Sequence, residues 1–313
     1  MSITKFNSVQ KERIKRLEPA LKIAATNGDV DSAKKILLDL KGIYLSTGNT
    51  AKFSLAKNRL FEAAMESGNL TYAIDGLEAI RKHTNNKTRV YLEATTLLAI
   101  CYLRKNVIDK AEPLIKQVLI NTEVIKSVEK RDEFKKLIVA RFDEEAALYS
   151  LKDSFQEDFK LEEIADEASN LANKLTEREL YINIGKTIPE SAKNILSRVD
   201  SFSKKQLSFT PRLLLDSPIT AGDNEKIGKT VFSSIKRVIY RSICDKKSAN
   251  YKSYHGYSVT AIKSYLTLTI AEIFTKLSIS IKALLISIIA IIIKLGLDTY
   301  CEHNKPTNIM DIR

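Results

Sequence analysis

The strongest constraint on this fold is internal repetition. Three segments align without gaps: ALKIAATNGDVDSAKKILLDL from Ala20, LFEAAMESGNLTYAIDGLEAI from Leu60 and LAICYLRKNVIDKAEPLIKQV from Leu98. Each has a turn-forming residue (Gly28, Gly68, Asn106), an alanine five positions later (Ala33, Ala73, Ala111) and a large apolar residue nine positions later (Leu37, Leu77, Ile115). The spacings between copies are 40 and 38 residues. A helix that ends on a residue able to enter the left-handed region, followed by an antiparallel partner helix, produces this pattern. Alanine at the crossing lets the two backbones approach, and the bulky residue fills the gap to the next hairpin. With only 10 Gly and 6 Pro in 313 residues, the chain also has too few turn residues for a sheet-rich fold. An all-α class is expected.

The repeat resembles the tetratricopeptide repeat. The third copy carries the likeness best, through Leu98, Ala99, Tyr102, Ala111 and Ile115; it departs from the family at Asn106 and in its longer period. The resemblance covers about residues 10–121 and implies a right-handed α-solenoid whose concave groove receives a protein or peptide. Transferring the family's carboxylate-gripping positions gives Glu18, Lys22, Arg59, Glu93 and Leu97, with Glu and Leu where cations are required, so a carboxylate clamp is rejected. The groove contacts expected are instead Asn58, Glu62, Thr96, Ile100 and Arg104.

Helical periodicity continues through 123–149 and 160–175, which are expected to extend or cap the repeats, so that 1–200 forms one helical-repeat domain. Residues 201–225, with Pro211, Pro218 and Gly222, read as a linker. Gly222, Gly228, Lys229 and Thr230 imitate a phosphate-cradling loop, but five residues separate the glycines where four are needed and no strand precedes them.

Charge is unevenly distributed. Residues 1–200 hold 33 Lys and Arg against 30 Asp and Glu, whereas 201–313 hold 17 against 8, most of the formal net charge of +12. On a helical wheel of 225–243, Ile227, Val231, Phe232, Ile235, Val238, Ile239 and Ile243 fall on one side, with Lys226, Lys229, Lys236, Arg237 and Arg241 opposite. Lys246, Lys247 and Lys252 follow among tyrosines. This cluster is expected to meet an anionic surface, a membrane first and nucleic acid as the alternative. An ordinary helix with solvated cations satisfies the same pattern.

Residues 277–297 (LSISIKALLISIIAIIIKLGL) are the most apolar stretch. As one helix they reach about 31 Å, long enough for a bilayer, with Lys282 and Lys294 near its ends. Leu284, Leu285, Ile288, Ile289, Ile292 and Ile293 would be its membrane-facing residues. A transmembrane reading competes with a buried or oligomer-forming helix and with an interfacial one. Flanking charge would place the repeats on the cytoplasmic side of the membrane, and the alternative is a wholly cytoplasmic chain. In this scheme 226–313 forms a C-terminal module of basic helix and apolar segment.

Catalytic signals are absent from the pattern. His83, His255 and His303 are dispersed, Asp143, Glu144 and Glu145 fit a solvated helix face, and no cofactor or metal site is expected. Cys101, Cys244 and Cys301 match no zinc spacing and suggest a reducing compartment, as does the charged 1–25 region without a signal-like apolar run. The expectation is a non-enzymatic adaptor or effector, membrane-attached and partner-binding, with a membrane-perturbing variant. A soluble oligomeric regulator that contacts nucleic acid through 226–252 is the alternative.

Overall fold

The computed structural model describes residues 4–152, 160–213, 215–244 and 259–305. Every regular element among them is a helix. Two compact units divide the chain: residues up to Lys135 with Gln206–Pro211, and Lys136–Lys205 with the described residues from Arg212 onward.

The first unit holds α1 (Ser8–Asn27), α2 (Val30–Ser46), α3 (Thr50–Glu66), α4 (Leu70–His83), α5 (Arg89–Arg104) and α6 (Ile108–Ile120), followed by a 3₁₀ turn. Successive helices pack as hairpins, α1 on α2, α3 on α4 and α5 on α6, and each hairpin also packs on the next. The turns form as the repeat requires: Gly28, Gly68 and Asn106 adopt φ of 69°, 86° and 56°. Ala33, Ala73 and Ala111 are fully buried at the crossings, as are Leu77 and Ile115, while Leu37 is half-buried. Side chains cap the helix starts. Asn7 and Gln10 form a reciprocal capping box on α1, and Asp29, Asn69 and Thr88 accept from the first turns of α2, α4 and α5.

The division between units falls inside α7 (Val128–Ser150), not at the 201–225 stretch. Beyond it come α8 (Leu161–Lys174), α9 (Glu177–Thr187), α10 (Glu190–Lys205), the short α11 (Phe209–Leu213), α12 (Asn224–Ile243), α13 (Val259–Lys276), α14 (Lys282–Leu295) and α15 (Leu297–His303). The helices expected to extend the repeats therefore belong elsewhere. α8 and α9 pack on α14, because their apolar stripes (Ile164, Ala168, Ala172; Leu180, Ile184) are needed to cover it.

The expectation of one helix over 277–297 is corrected. α13 ends at Lys276, Ser278 turns the chain at φ 55°, and Ile279 N–H donates to Phe274 O to close the helix end. α14 has 14 residues, about 21 Å, and Gly296 bends it by 92° into α15. No single helix among the described residues is long and apolar enough to cross a membrane. Instead, Leu284 to Ile292 form an unbroken buried run enclosed by α8, α9, α13 and α15. Its polar groups find protein partners: Lys282 Nζ donates to Glu167 at 2.8 Å, Lys294 Nζ to Ala172 O at 2.9 Å, and Asn183 Nδ2 to Ser287 Oγ at 2.9 Å.

α9 and α12 make the closest crossing. A Cβ on Gly228 would lie 1.8 Å from Tyr181 O, and one on Gly185 would lie 2.0 Å from Asn224 O. The glycine that completed the false phosphate-loop string is thus a packing residue. A second correction concerns the cysteines, because Cys244 and Cys301 are joined by a disulfide that ties the end of α12 to α15, while Cys101 is a buried thiol outside it.

Candidate functional site

Within the second unit, α7, α10, residues 215–219 and α12 enclose a cleft of about 340 Å³. That is the lower end of the range in which small-molecule sites occur. Its apolar lining comes from Val139, Leu215 and Ile219. Its chemistry comes from charged side chains at two depths.

The deep group is Asp143 on α7 with Asp200 and Lys204 on α10. One helical turn separates Asp200 from Lys204, and Lys204 Nζ reaches Asp200 Oδ1 at 2.6 Å. Asp200 Oδ2 accepts from Ile219 N–H at 2.7 Å, and Ser197 Oγ donates to Ile219 O at 2.7 Å. The supposed linker is therefore pinned to α10 as one wall of the cleft. Asp143 is 7% exposed and faces Asp200. Burial, then the charge of Asp200 and a hydrogen bond to it, raise the Asp143 carboxyl well above its usual range; Lys204 opposes them. Among the described residues, no N–H or hydroxyl group donates to Asp143 Oδ1, whose carboxyl meets that of Asp200.

Lys136, Lys226 and Lys229 provide further cationic lining. Lys226 Nζ lies 3.2 Å from Asp223 and donates to Ser217 Oγ at 2.8 Å. Lys229 Nζ meets Glu225 at 2.8 Å, and together with Arg178 it holds that carboxyl down at about 2. Also lining the cleft, Ser233 Oγ donates to Glu144 at 2.7 Å. Arg237 lies 3.0 Å from Glu145, which Arg141 also meets at 2.7 Å. Burial is the largest influence on the Glu144 carboxyl and raises it.

These contacts revise the sequence-based assignments. Asp143 and Glu145 are buried, not solvated. Among the cations assigned to an anionic surface, Arg237 is buried between carboxylates, Lys226 and Lys229 are ion-paired, and Lys236 and Arg241 are half-buried. Lys246, Lys247 and Lys252 lie outside the described residues. The assigned membrane-facing residues Leu284, Leu285, Ile288, Ile289 and Ile292 are buried in the bundle, with Ile293 half-buried.

The groove residues are brought together on α3 and α5, but every one is buried. Asn58 Nδ2 donates to Val90 O at 3.1 Å, Glu62 pairs with Arg59 at 2.8 Å, and Thr96 Oγ1 donates to Leu92 O. Ile100 is fully enclosed, and Arg104 donates to Met65 O at 2.7 Å and pairs with Glu66 at 2.8 Å. Burial raises the Glu62 carboxyl, with Arg59 opposing. These residues hold helices together in the described state.

Asp143, Asp200 and Lys204 were missed. The one available signal was that apolar residues fall on all sides of α7, at Phe134, Val139, Ala147 and Leu148, so its charges cannot all reach water. Comparison with family models, with curated proteins and with solved structures finds no match to this chain.

Proposed function

We propose that this chain is a binding scaffold: a tetratricopeptide-like α-solenoid module that engages an acidic, amphipathic segment of a protein partner. The observation that carries the reading is the threefold recurrence of one hairpin geometry, with a left-handed turn residue and a fully buried alanine in each copy. Scaffolds of this kind act through surfaces, and the first hairpin exposes the apolar side chains of Val9, Ile23 and Leu38. Residues 8–46 around them hold eight Lys and Arg against five Asp and Glu, which favours an acidic partner.

Neither a membrane nor nucleic acid is carried into the proposal. Removing α14 to a bilayer would strip the apolar faces of α8, α9 and α13. At about 1.5–3 kcal/mol per large buried side chain, exposing some six of them costs roughly 9–18 kcal/mol. The insertion gain of the aliphatic residues of 277–297 is roughly 4–8 kcal/mol. The described cations of α12 are mostly committed to carboxylates, which weakens the case for nucleic acid.

The test is photocrosslinking in the full chain, with the crosslinking residue placed at Ile23 or Leu38 and, as a control, at Leu268. One discrete partner adduct from the first two positions, absent from the control and lost on Val9→Glu, is expected. No adduct, or the same adducts from the control position, would refute the reading.

A further inference from the structure

The second unit carries a device that the scaffold reading does not use. α15 is a helix of seven residues, well below the roughly 12–15 at which an isolated helix persists in water. It packs on α14, from which Gly296 turns it through 92°. Two side chains anchor it in the core: Leu297 and the fully buried Tyr300, whose hydroxyl donates to Lys236 O of α12 at 2.9 Å. The bond from Cys301 to Cys244 adds a covalent tie to α12. The other face of α15, with Asp298, Thr299, Glu302 and His303, is exposed.

Gly296 supplies a hinge. It is exposed, adopts φ 78° and ψ 140°, a region that favours glycine, and a carbon added to it would meet no atom within 4 Å. α15 can therefore rotate there without pushing a neighbour aside. Cys244, by contrast, closes a helix of 20 residues whose apolar side lies in the core. The bond joins a short hinged element to a long anchored one. Cys301 is half-buried and Cys244 buried, so an incoming thiolate meets the Cys301 end first.

We infer that the Cys244–Cys301 bond is a reversible latch, opened by a dithiol reductant, whose release lets α15 swing out about Gly296 while the rest of the second unit stays folded. A thiolate of the reductant attacks Cys301 Sγ, the S–S bond breaks, and the Cys244 sulfur leaves as a thiolate that takes up a proton. The reductant's second thiolate then attacks the mixed disulfide, which frees Cys301 and closes the reductant's own disulfide. Two electrons pass from the dithiol to the protein. In the oxidised chain α15 separates from α12 only if the last turn of α12 unwinds with it. After reduction, Leu297, Tyr300 and one hydrogen bond stand against the conformational freedom regained by seven residues, so α15 opens locally, well before the bundle unfolds. Opening exposes Leu297 and Tyr300 and the core they share with Ile239 and Ile243 of α12.

The experiment is hydrogen exchange read by mass spectrometry on the full chain at neutral pH, before and after dithiothreitol, with circular dichroism of the same samples. Amides of 297–303 are expected to exchange at least about tenfold faster after reduction, while α8, α9 and α14 keep their protection and the helical signal is retained. Glutathione disulfide should restore slow exchange. Iodoacetamide added after reduction should label Cys244 and Cys301 and spare the buried Cys101. Tyr300→Phe, which removes the bond to Lys236 O, should speed exchange of 297–303 further in the reduced chain and leave the oxidised chain near wild type. Four results would each overturn the inference: free thiols at Cys244 and Cys301 after treatment with glutathione disulfide, a bond that dithiothreitol opens only in denaturant, equal protection of 297–303 in both states, or loss of protection in α8, α9 and α14 together with α15. The last would make the bond a brace for the whole unit. Because the wild-type chain decides all four, the test stands even if Tyr300→Phe fails to fold.

Discussion

Gly228→Ala is the substitution that most directly tests the packing of the second unit. Helix propensity alone favours the change by about 1 kcal/mol, since Gly228 lies inside α12. The α9 crossing opposes it. The new Cβ would stand 1.8 Å from Tyr181 O, 2.7 Å from Tyr181 C and 3.1 Å from Gly185 N, all backbone atoms that cannot swing aside. Restoring even a 3.0 Å contact requires the helices to part by about 1.2 Å. A radial gap of that order forfeits at least a quarter to a half of each contact's well among the side chains packed around the crossing, including Leu180, Ile184, Ile227 and Val231. At about 1.5–3 kcal/mol per buried side chain, four of them lose roughly 1.5–6 kcal/mol, centred near 3–4 kcal/mol. The net expectation is destabilisation by about 2–3 kcal/mol, or a fall in Tm of roughly 5–10 °C for a unit of this size. Gly42→Ala is the control: it lies exposed in α2 with no atom within 4 Å of the added carbon, and should stabilise by about 0.5–1 kcal/mol. Far-ultraviolet circular dichroism in a urea series measures both, and hydrogen exchange localises the first effect to α9 and α12. If Gly228→Ala is neutral or stabilising while Gly42→Ala behaves as stated, the two helix backbones are not in contact.

Other consequences follow from the same contacts. Asp143 binds its proton more tightly folded than unfolded, so stability should fall as pH rises from about 4 towards the raised value. Asp143→Asn should flatten that slope and be at least as stable as the wild type near pH 8, as urea midpoints at several pH values would report. Arg237→Leu removes the cation shared by Glu144 and Glu145 and should cost about 3–5 kcal/mol, whereas Lys229→Ala at the surface should cost less than about 1 kcal/mol. Reduction of the Cys244–Cys301 bond frees a chain segment of 57 residues, for which loop-closure entropy predicts a loss of about 4 kcal/mol. Cys301→Ser should lower Tm to match the reduced wild type and should itself be insensitive to reductant.

The first unit was legible because its determinants are local. A left-handed turn at Gly28, Gly68 or Asn106 and a small residue five positions later are set by sterics within one hairpin, and three copies make the pattern hard to produce by chance. The unit boundary was not legible. Nothing in the composition of α8 says whether its stripe of Ile164, Ala168 and Ala172 meets another repeat or an apolar helix more than a hundred residues away. Pro218 and Gly222 signalled irregular backbone correctly, whereas Pro211 lies in the short helix α11. Only Asp200 and Ser197, reaching Ile219 from α10, turn that stretch into a wall instead of a tether.

The apolar segment shows where the limit lies. Lipid and protein interior both reward the aliphatic side chains of 284–292, so hydropathy alone does not choose between them. What distinguishes them is the treatment of the polar groups. In a bilayer, Lys282 and Lys294 would snorkel to the two interfaces and Ser287 would turn back on its own helix. In this fold the lysines bind Glu167 in the middle of α8 and Ala172 O in its last turn, and Ser287 also accepts from Asn183. None of those partners is near in sequence. The same holds for α12, whose wheel shows a cationic face but not the carboxylates of α7 that meet Arg237. A face counted as charged along one helix becomes an interaction surface only after the opposite charges of its neighbours are subtracted, and that subtraction requires the fold.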